Sequence, residues 1–505
     1  MPAFSSVALR DAAFSFGSNT DPLFSGLSVD FHRGFTGIVG ANGAGKTTLL
    51  RALIGDLPLS AGQRLGPTDV VYCAQRTDTP PSGFGEFLDD WEGNACALKN
   101  QLQIEYDFMD RWLSLSHGER KRAQIAHALW LSPEVLAIDE PTNHIDGDAR
   151  ALLISALSSF DGIGVIVSHD RELLDALCAK CLWMDPPEAV VYSGGISDAM
   201  RQRNADMKAD EQHRQRLLQD SRKLEKAEEA RRKQASSEHK QRSKKGLGRK
   251  DSDARDKINR ARVSDGNAGS GLRQFRGRRE QLASELADTQ VRKTYTTGIQ
   301  LNSDISRRNA ILRLEAGRLQ ITEQRSLTWP DITIKPQDRI ALTGPNGAGK
   351  SSWIENMLPL IQADPARVMV IPQETTASMA QEIHRECLEL SSTELGRVMQ
   401  IVSRLNSRPS RLLASHQPSP GESKKLAIAL GMSRSPQVIV MDEPTNHLDL
   451  PSTEALERAL LECRCAIIVV THDDAFINNI EAETWRLEIN DGGVSALVTE
   501  PEAWT

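Results

Sequence analysis

The chain has 505 residues, 39% hydrophobic and 26% charged, with a formal net charge of −7, the composition of a globular protein. No stretch of about 18 apolar residues exists, which excludes a membrane-spanning helix, and Met1-Pro2-Ala3-Phe4 lacks the basic and apolar regions of a signal peptide. A cytoplasmic protein is therefore expected. Seven cysteines include one CxxC, Cys178 and Cys181, without a second pair at zinc-site spacing, so reduced thiols are expected rather than a disulfide or metal framework. The charge is unevenly spread: residues 201–280 carry 25 Lys/Arg against 13 Asp/Glu, a balance of +12, while the rest of the chain stands at −19. A basic insert in an acidic body points to a polyanionic partner.

In chain order, the first feature is the glycine-rich run GANGAGKTTLL at 40–50. Gly40, Gly43 and Gly45 let backbone N–H groups wrap phosphates, and the helix that follows presents its positive end to them. Asn42, Lys46, Thr47 and Thr48 complete this candidate phosphate loop, with Lys46 neutralising terminal phosphates and Thr47 placed to ligate Mg²⁺. Next, the apolar run VLAIDE delivers Asp139 toward the metal and Glu140 toward the attacking water. His169 ends another apolar run 29 residues after Glu140, where an imidazole holds the γ-phosphate and water in line.

The whole set then recurs 303–304 residues later. GPNGAGKSSWI at 344–354 supplies Gly344, Asn346, Gly347, Gly349, Lys350, Ser351 and Ser352, and VIVMDE supplies Asp442 and Glu443. His472 again follows its glutamate by 29 residues. Constant order and offset indicate an internal duplication of roughly 200-residue units, each alternating strand-like and helical runs, so a mostly parallel α/β sheet is expected in both.

The ordered set resembles the ATP-binding cassette (ABC) superfamily. LSHGE at 115–119 looks like its signature motif, with Ser116 and Gly118; PSPGE at 418–422 retains Ser419 and Gly421 but brings two prolines. Gln75 and Gln373 look like the glutamine-loop residues that sense metal and water, and Phe16 like the aromatic that stacks on adenine. The matching position in the second half is Gln320, with no aromatic within two residues. The resemblance implies two P-loop ABC-type domains, 1–195 and 301–505, closing head to tail over two ATP and two Mg²⁺. Lys46, Gln75, Asp139, Glu140 and His169 would then face Ser419 and Gly421, while Lys350, Gln373, Asp442, Glu443 and His472 face Ser116 and Gly118. Two hydrolysing sites of unequal rate or affinity are expected.

Residues 196–300 break the pattern. From 199 to 242 the chain has neither Pro nor Gly and is rich in Arg, Lys, Glu, Gln and Ala, which favours a long helix; a second helix is expected near 273–292. An antiparallel helical pair with a flexible basic tip near 243–271 follows. Two cassettes, no membrane span and such a linker resemble the ABC-F group, as does YSGGIS at 192–197. That resemblance implies a ribosome partner, with the linker directed to rRNA, the P-site tRNA and the peptidyl-transferase centre, in translation regulation or ribosome-protection antibiotic resistance. Lys244, Lys245, Arg249 and Lys250 are the candidate phosphate contacts. Only 40 residues separate Gln75 from Leu115, leaving little room for an extra arm, and the chain ends 33 residues after His472, so a lean monomeric member is expected. The competing expectation is an ATPase subunit for a separately encoded membrane exporter, which would need no basic linker. DNA as a partner is not expected, because the inserts and zinc motifs of DNA-repair relatives are missing.

Overall fold

The structure, a computed structural model, describes residues 6–15, 22–143, 145–186, 188–241, 277–286, 305–322, 325–373, 375–407, 419–490 and 494–499. Phe16 and the four tip residues Lys244, Lys245, Arg249 and Lys250 lie outside the described residues. The chain divides into two compact units, Met1–Ala199 with Tyr295–Thr505, and Met200–Thr294.

The first unit holds both repeats. In the first, a six-stranded sheet runs in the order Val70–Cys73, Val135–Asp139, Ile163–Val167, Gly34–Gly40, Cys178–Asp185, Glu188–Ser193. The first five strands are parallel and the last is antiparallel. VLAID and IGVIV are buried at every position, as central strands covered on both faces must be. A three-stranded antiparallel sheet of Ser6–Phe14, Phe24–His32 and Ala61–Leu65 stands beside it.

The second repeat has the same parallel centre, Arg339–Thr343, Ala466–Val470, Val438–Asp442 and Val368–Ile371, within an eight-stranded sheet. In both, Gly40 or Gly344, Asp139 or Asp442, and the turns leading to His169 or His472 gather at the carboxyl ends of these strands, where open α/β sheets place their ligands.

A buried ion pair joins the repeats: Arg171 to Glu457 at 2.7 Å, the side chains 8% and 7% exposed. All seven cysteines are free thiols, and Cys178 and Cys181 are buried. Among the described residues no helix is long and apolar enough to cross a membrane. In the second unit, the helix Ile196–Gln241 begins in the first unit's chain and runs for 46 residues. Residues 277–286 are also helical, and Arg279 reaches Glu228 at 3.5 Å.

Candidate nucleotide sites between the cassettes

Each phosphate loop is set by its glycines. Gly40 has φ +146° and Gly344 φ +134°, and a Cβ at either would fall on a strand carbonyl, Met184 O or Leu487 O. Only glycine allows this backbone and this approach. The helices Lys46–Leu53 and Lys350–Met357 start directly after Gly45 and Gly349, so their free N–H groups open onto the loop. Lys46 folds back on its own loop, donating to Gly40 O and Ala41 O at 3.1 Å. Lys350 donates to Gly344 O at 2.5 Å and Pro345 O at 3.1 Å, and stands 3.1 Å from His472 Nε2.

Beside each lysine, the hydroxyl and carboxylate expected to hold a metal are already together. Thr47 Oγ1 donates to Asp139 Oδ2 at 2.9 Å, and Ser351 Oγ to Asp442 Oδ2 at 2.8 Å. Asp139 Oδ1 is buried without a hydrogen-bond partner, and oxygen donors arranged so suit a hard divalent cation. Burial raises both aspartates above the ordinary carboxylate value; the Thr47 or Ser351 hydrogen bond opposes it.

Glu140 and Glu443 follow with φ of 46° and 45°, a left-handed backbone that strains a non-glycine residue. Their carboxylates lie 3.5 Å from His169 Nε2 and 3.7 Å from His472 Nε2. Burial raises Glu140 strongly, opposed by Lys46, and raises Glu443 to about 7, opposed by Lys350. Burial and then Lys46 push His169 well down, and burial and then Lys350 push His472 to about 4, so both imidazoles are neutral at physiological pH. A carboxyl poised near neutrality beside a neutral imidazole is suited to accepting a proton from water.

The helices His117–Trp130 and Pro420–Ser433 are capped alike. Ser116 and Ser419 each accept from the N–H three residues on, while Glu119 and Glu422 reach back to the serine N–H at 2.7 and 3.0 Å. Pro420 occupies the first helical position, where proline fits without distorting the turn, but it removes one N–H that His117 retains.

The first phosphate loop meets the second cassette directly. Asn42 Nδ2 donates to His447 O at 2.8 Å, Asn42 N donates to Asp449 Oδ2 at 2.9 Å, and a Cβ on Gly421 would meet Asn42 Nδ2 at 2.9 Å. The second loop meets the first cassette through Asn346 N, 3.3 Å from Asp146 Oδ2. One cavity of about 1340 Å³ is lined by Gln75, Glu140, His169, Ser419 and Gly421 on one side. Gln373, Ser352, Glu443 and His472, with Gly347, Gly349 and His117, line the other. Ser116, Gly118 and Thr48 stand outside its wall. At the second loop, Ile321 and Arg325 line the cavity, and a Cβ on Gly347 would meet the Arg325 guanidinium at 3.1 Å.

The ABC transporter family model matches residues 24–143 and 327–446. The ribosome protection protein VmlR of Bacillus subtilis is 25% identical over 98% of this chain and 88% of its own length. A probable ATP-binding cassette sub-family F member 3 homolog of Encephalitozoon cuniculi is 26% identical over 91% of this chain and 76% of its own. Among solved structures, the archaeal ribosome recycling factor aABCE1, in complex with the ribosomal stalk protein aP1, superposes with a TM-score of 0.60 at 18% identity. The superposition covers 96% of this chain and 89% of that one. These findings support the ABC-F family for this chain.

The chain carries two ABC ATPase domains, which bind and hydrolyse ATP. Three residues at the joint between the cassettes, Asp146, Asp449 and Arg150, are not among those the motifs single out. Asp146 and Asp449 each cap their own helix, accepting from Ala149 N and Ser452 N at 2.9 Å, and offer the second oxygen to the opposite phosphate loop. Burial alone would raise Asp449, but Lys425 at 2.8 Å and the Asn42 N–H outweigh it and hold this carboxylate well below the usual range. Arg150, which pairs with Asp170 at 3.0 Å, donates to His472 O at 3.2 Å. A signal was present: both aspartates end the repeated run DEPTNH-x-D.

Proposed function

We propose that this ABC-F protein is an ATP-driven ribosome factor that binds ribosomes in its ATP-bound, closed state and leaves after hydrolysis. Two ATP are shared between the cassettes. Lys46 or Lys350 and the loop N–H groups bind the phosphates, and Glu140 or Glu443 polarises water held by His169 or His472. Ser419 and Gly421, or Ser116 and Gly118, complete the shell from the other cassette. Thr47 and Asp139, or Ser351 and Asp442, with Gln75 or Gln373 behind them, would hold Mg²⁺, which when bound neutralises β- and γ-phosphate charge. Pro420 deprives the first site of one donor, and Arg325 takes the place of an adenine-stacking aromatic at the second, so the two sites are unequal.

The linker of residues 196–300 is the effector. Its positive balance suits rRNA and P-site tRNA phosphates near the peptidyl-transferase centre, through Lys244, Lys245, Arg249 and Lys250 at its tip. The protein works as a cytoplasmic monomer in translation regulation or in protection of ribosomes from antibiotics. The observation that carries this reading is the full-length likeness to a ribosome protection protein, on a chain whose cassettes already hold each other's phosphate loops.

Co-sedimentation tests it. The Glu140→Gln/Glu443→Gln variant, which binds ATP without hydrolysing it, is expected to pellet with ribosomes in ATP and not in ADP. Equal pelleting in both nucleotides, or none, sinks the reading. Neutralising the four tip residues is expected to weaken that binding and flatten its salt dependence.

A further inference from the structure

Two lysines inside the molecule have no part in the chemistry described above. Lys121 is fully buried and Lys424 is 1% exposed. Burying an ammonium group is costly unless its donors are satisfied. Each lies five residues after the serine that opens its helix, Ser116 or Ser419, and each points back into its own cassette.

Lys121 Nζ donates to Ala74 O at 2.6 Å, the carbonyl just before Gln75, with Asp139 O at 3.5 Å. Lys424 Nζ donates to Glu443 O at 2.5 Å and Asn446 O at 3.3 Å. The Glu443 carbonyl belongs to a residue in the strained left-handed region, and the turn it opens leads to Asp449. Burial lowers both ammonium groups to about 8, and the nearby carboxylates oppose this.

The consequence comes from which site each end serves. Ser419 completes the site of Glu140, yet Lys424 on the same helix holds the carbonyl of Glu443. Ser116 completes the site of Glu443, yet Lys121 holds the turn of Gln75 beside Glu140. We propose that Lys121 and Lys424 are positioning residues that couple the two sites, each carrying the seating of its helix on one ATP to the turn that acts on the other. This rests on the shared-site reading above. A rigid helix with a serine at one end and a satisfied ammonium a turn and a half further along passes on a displacement with little loss, because the packed interior around it deforms little.

The test uses the full chain with one site silenced, so that kcat and KM belong to the other. In the Glu140→Gln parent only the Glu443 site turns over; in the Glu443→Gln parent only the Glu140 site does. Lys424→Met is expected to lower kcat at the Glu443 site by about tenfold and to raise KM at the Glu140 site severalfold. Lys121→Met should give the mirror image, and Lys→Arg at either position should recover most of both effects. A lysine that merely stabilises its cassette would depress one site alone, or both parameters of both sites together; either pattern overturns the proposal. If a Met variant does not fold, Lys121→Gln and Lys424→Gln, whose amides keep a donor, are read in the same way. Ser419→Ala in the Glu443→Gln parent separates the two ideas. No change in KM there means the shared-site reading fails; a raised KM with no crossed lysine effect means the coupling alone fails.

Discussion

Glu443→Gln should stabilise the nucleotide-free protein, and by an amount that depends on pH. The carboxyl is raised from its ordinary 4.5 to about 7 because burial disfavours the anion more than Lys350 favours it. Above pH 7 the folded protein holds that charge against its preference, whereas the unfolded chain holds it freely in water. A difference of this size corresponds to about 3 kcal/mol of destabilisation at pH 8, falling to under about 1 kcal/mol at pH 5 and vanishing below 4.5, where both states are protonated. Glutamine keeps the shape and removes the charge, so the variant should gain most of that amount at pH 8. The strain at φ 45° is unchanged, since glutamine pays it equally. Urea unfolding of both proteins in EDTA without nucleotide, at pH 8 and pH 5, measures the gain. A variant no more stable at pH 8, or equally more stable at both pH values, would refute the assignment of a buried, unwilling anion at this position.

Three further outcomes follow from the same geometry. In the Glu140→Gln parent, kcat/KM for ATP should rise with pH up to about 7 and fall about tenfold for each unit below, because Glu443 accepts a proton only when ionised; a flat profile between pH 5.5 and 7 contradicts its role as base. Arg171→Met leaves Glu457 buried without its partner and should cost about 3–5 kcal/mol in urea unfolding, most of it recovered by adding Glu457→Gln. Arg325→Ala should raise KM at the Glu443 site severalfold and leave the Glu140 site unchanged, measured in the two single-site parents; an equal effect on both would remove Arg325 from the adenine end.

Much of the fold was legible because the repeat states it twice. Apolar runs such as VLAID and VIVMD end in carboxylates 303 residues apart, and a buried parallel strand is what such a run forms. The metal-side pairs Thr47–Asp139 and Ser351–Asp442 were likewise visible as residue types at fixed order, and their 2.9 and 2.8 Å hydrogen bonds place them together. What sequence order does not reveal is contact between distant segments. Asn42 meets His447 and Asp449 across more than 400 residues, a proximity that depends on how two sheets dock. Lys121 and Lys424 escaped for a different reason: in a helix of mixed polarity a lysine reads as solvated surface, and only packing reveals that it is enclosed. PSPGE places two prolines beside Ser419. At Pro420 the structure gives a local account, a first helical residue that costs one donor and leaves the serine cap intact.

Whether each ATP is read by both cassettes can be measured in a single comparison. In the Glu443→Gln parent, where only Glu140 can act, Ser419→Ala lies on the other cassette and is expected to cost at least tenfold in ATP hydrolysis, clearly more than Ser116→Ala, which reaches the Glu140 site only through Lys121. If instead Ser116→Ala abolishes the rate and Ser419→Ala does not, each cassette completes its own site and the shared arrangement is wrong.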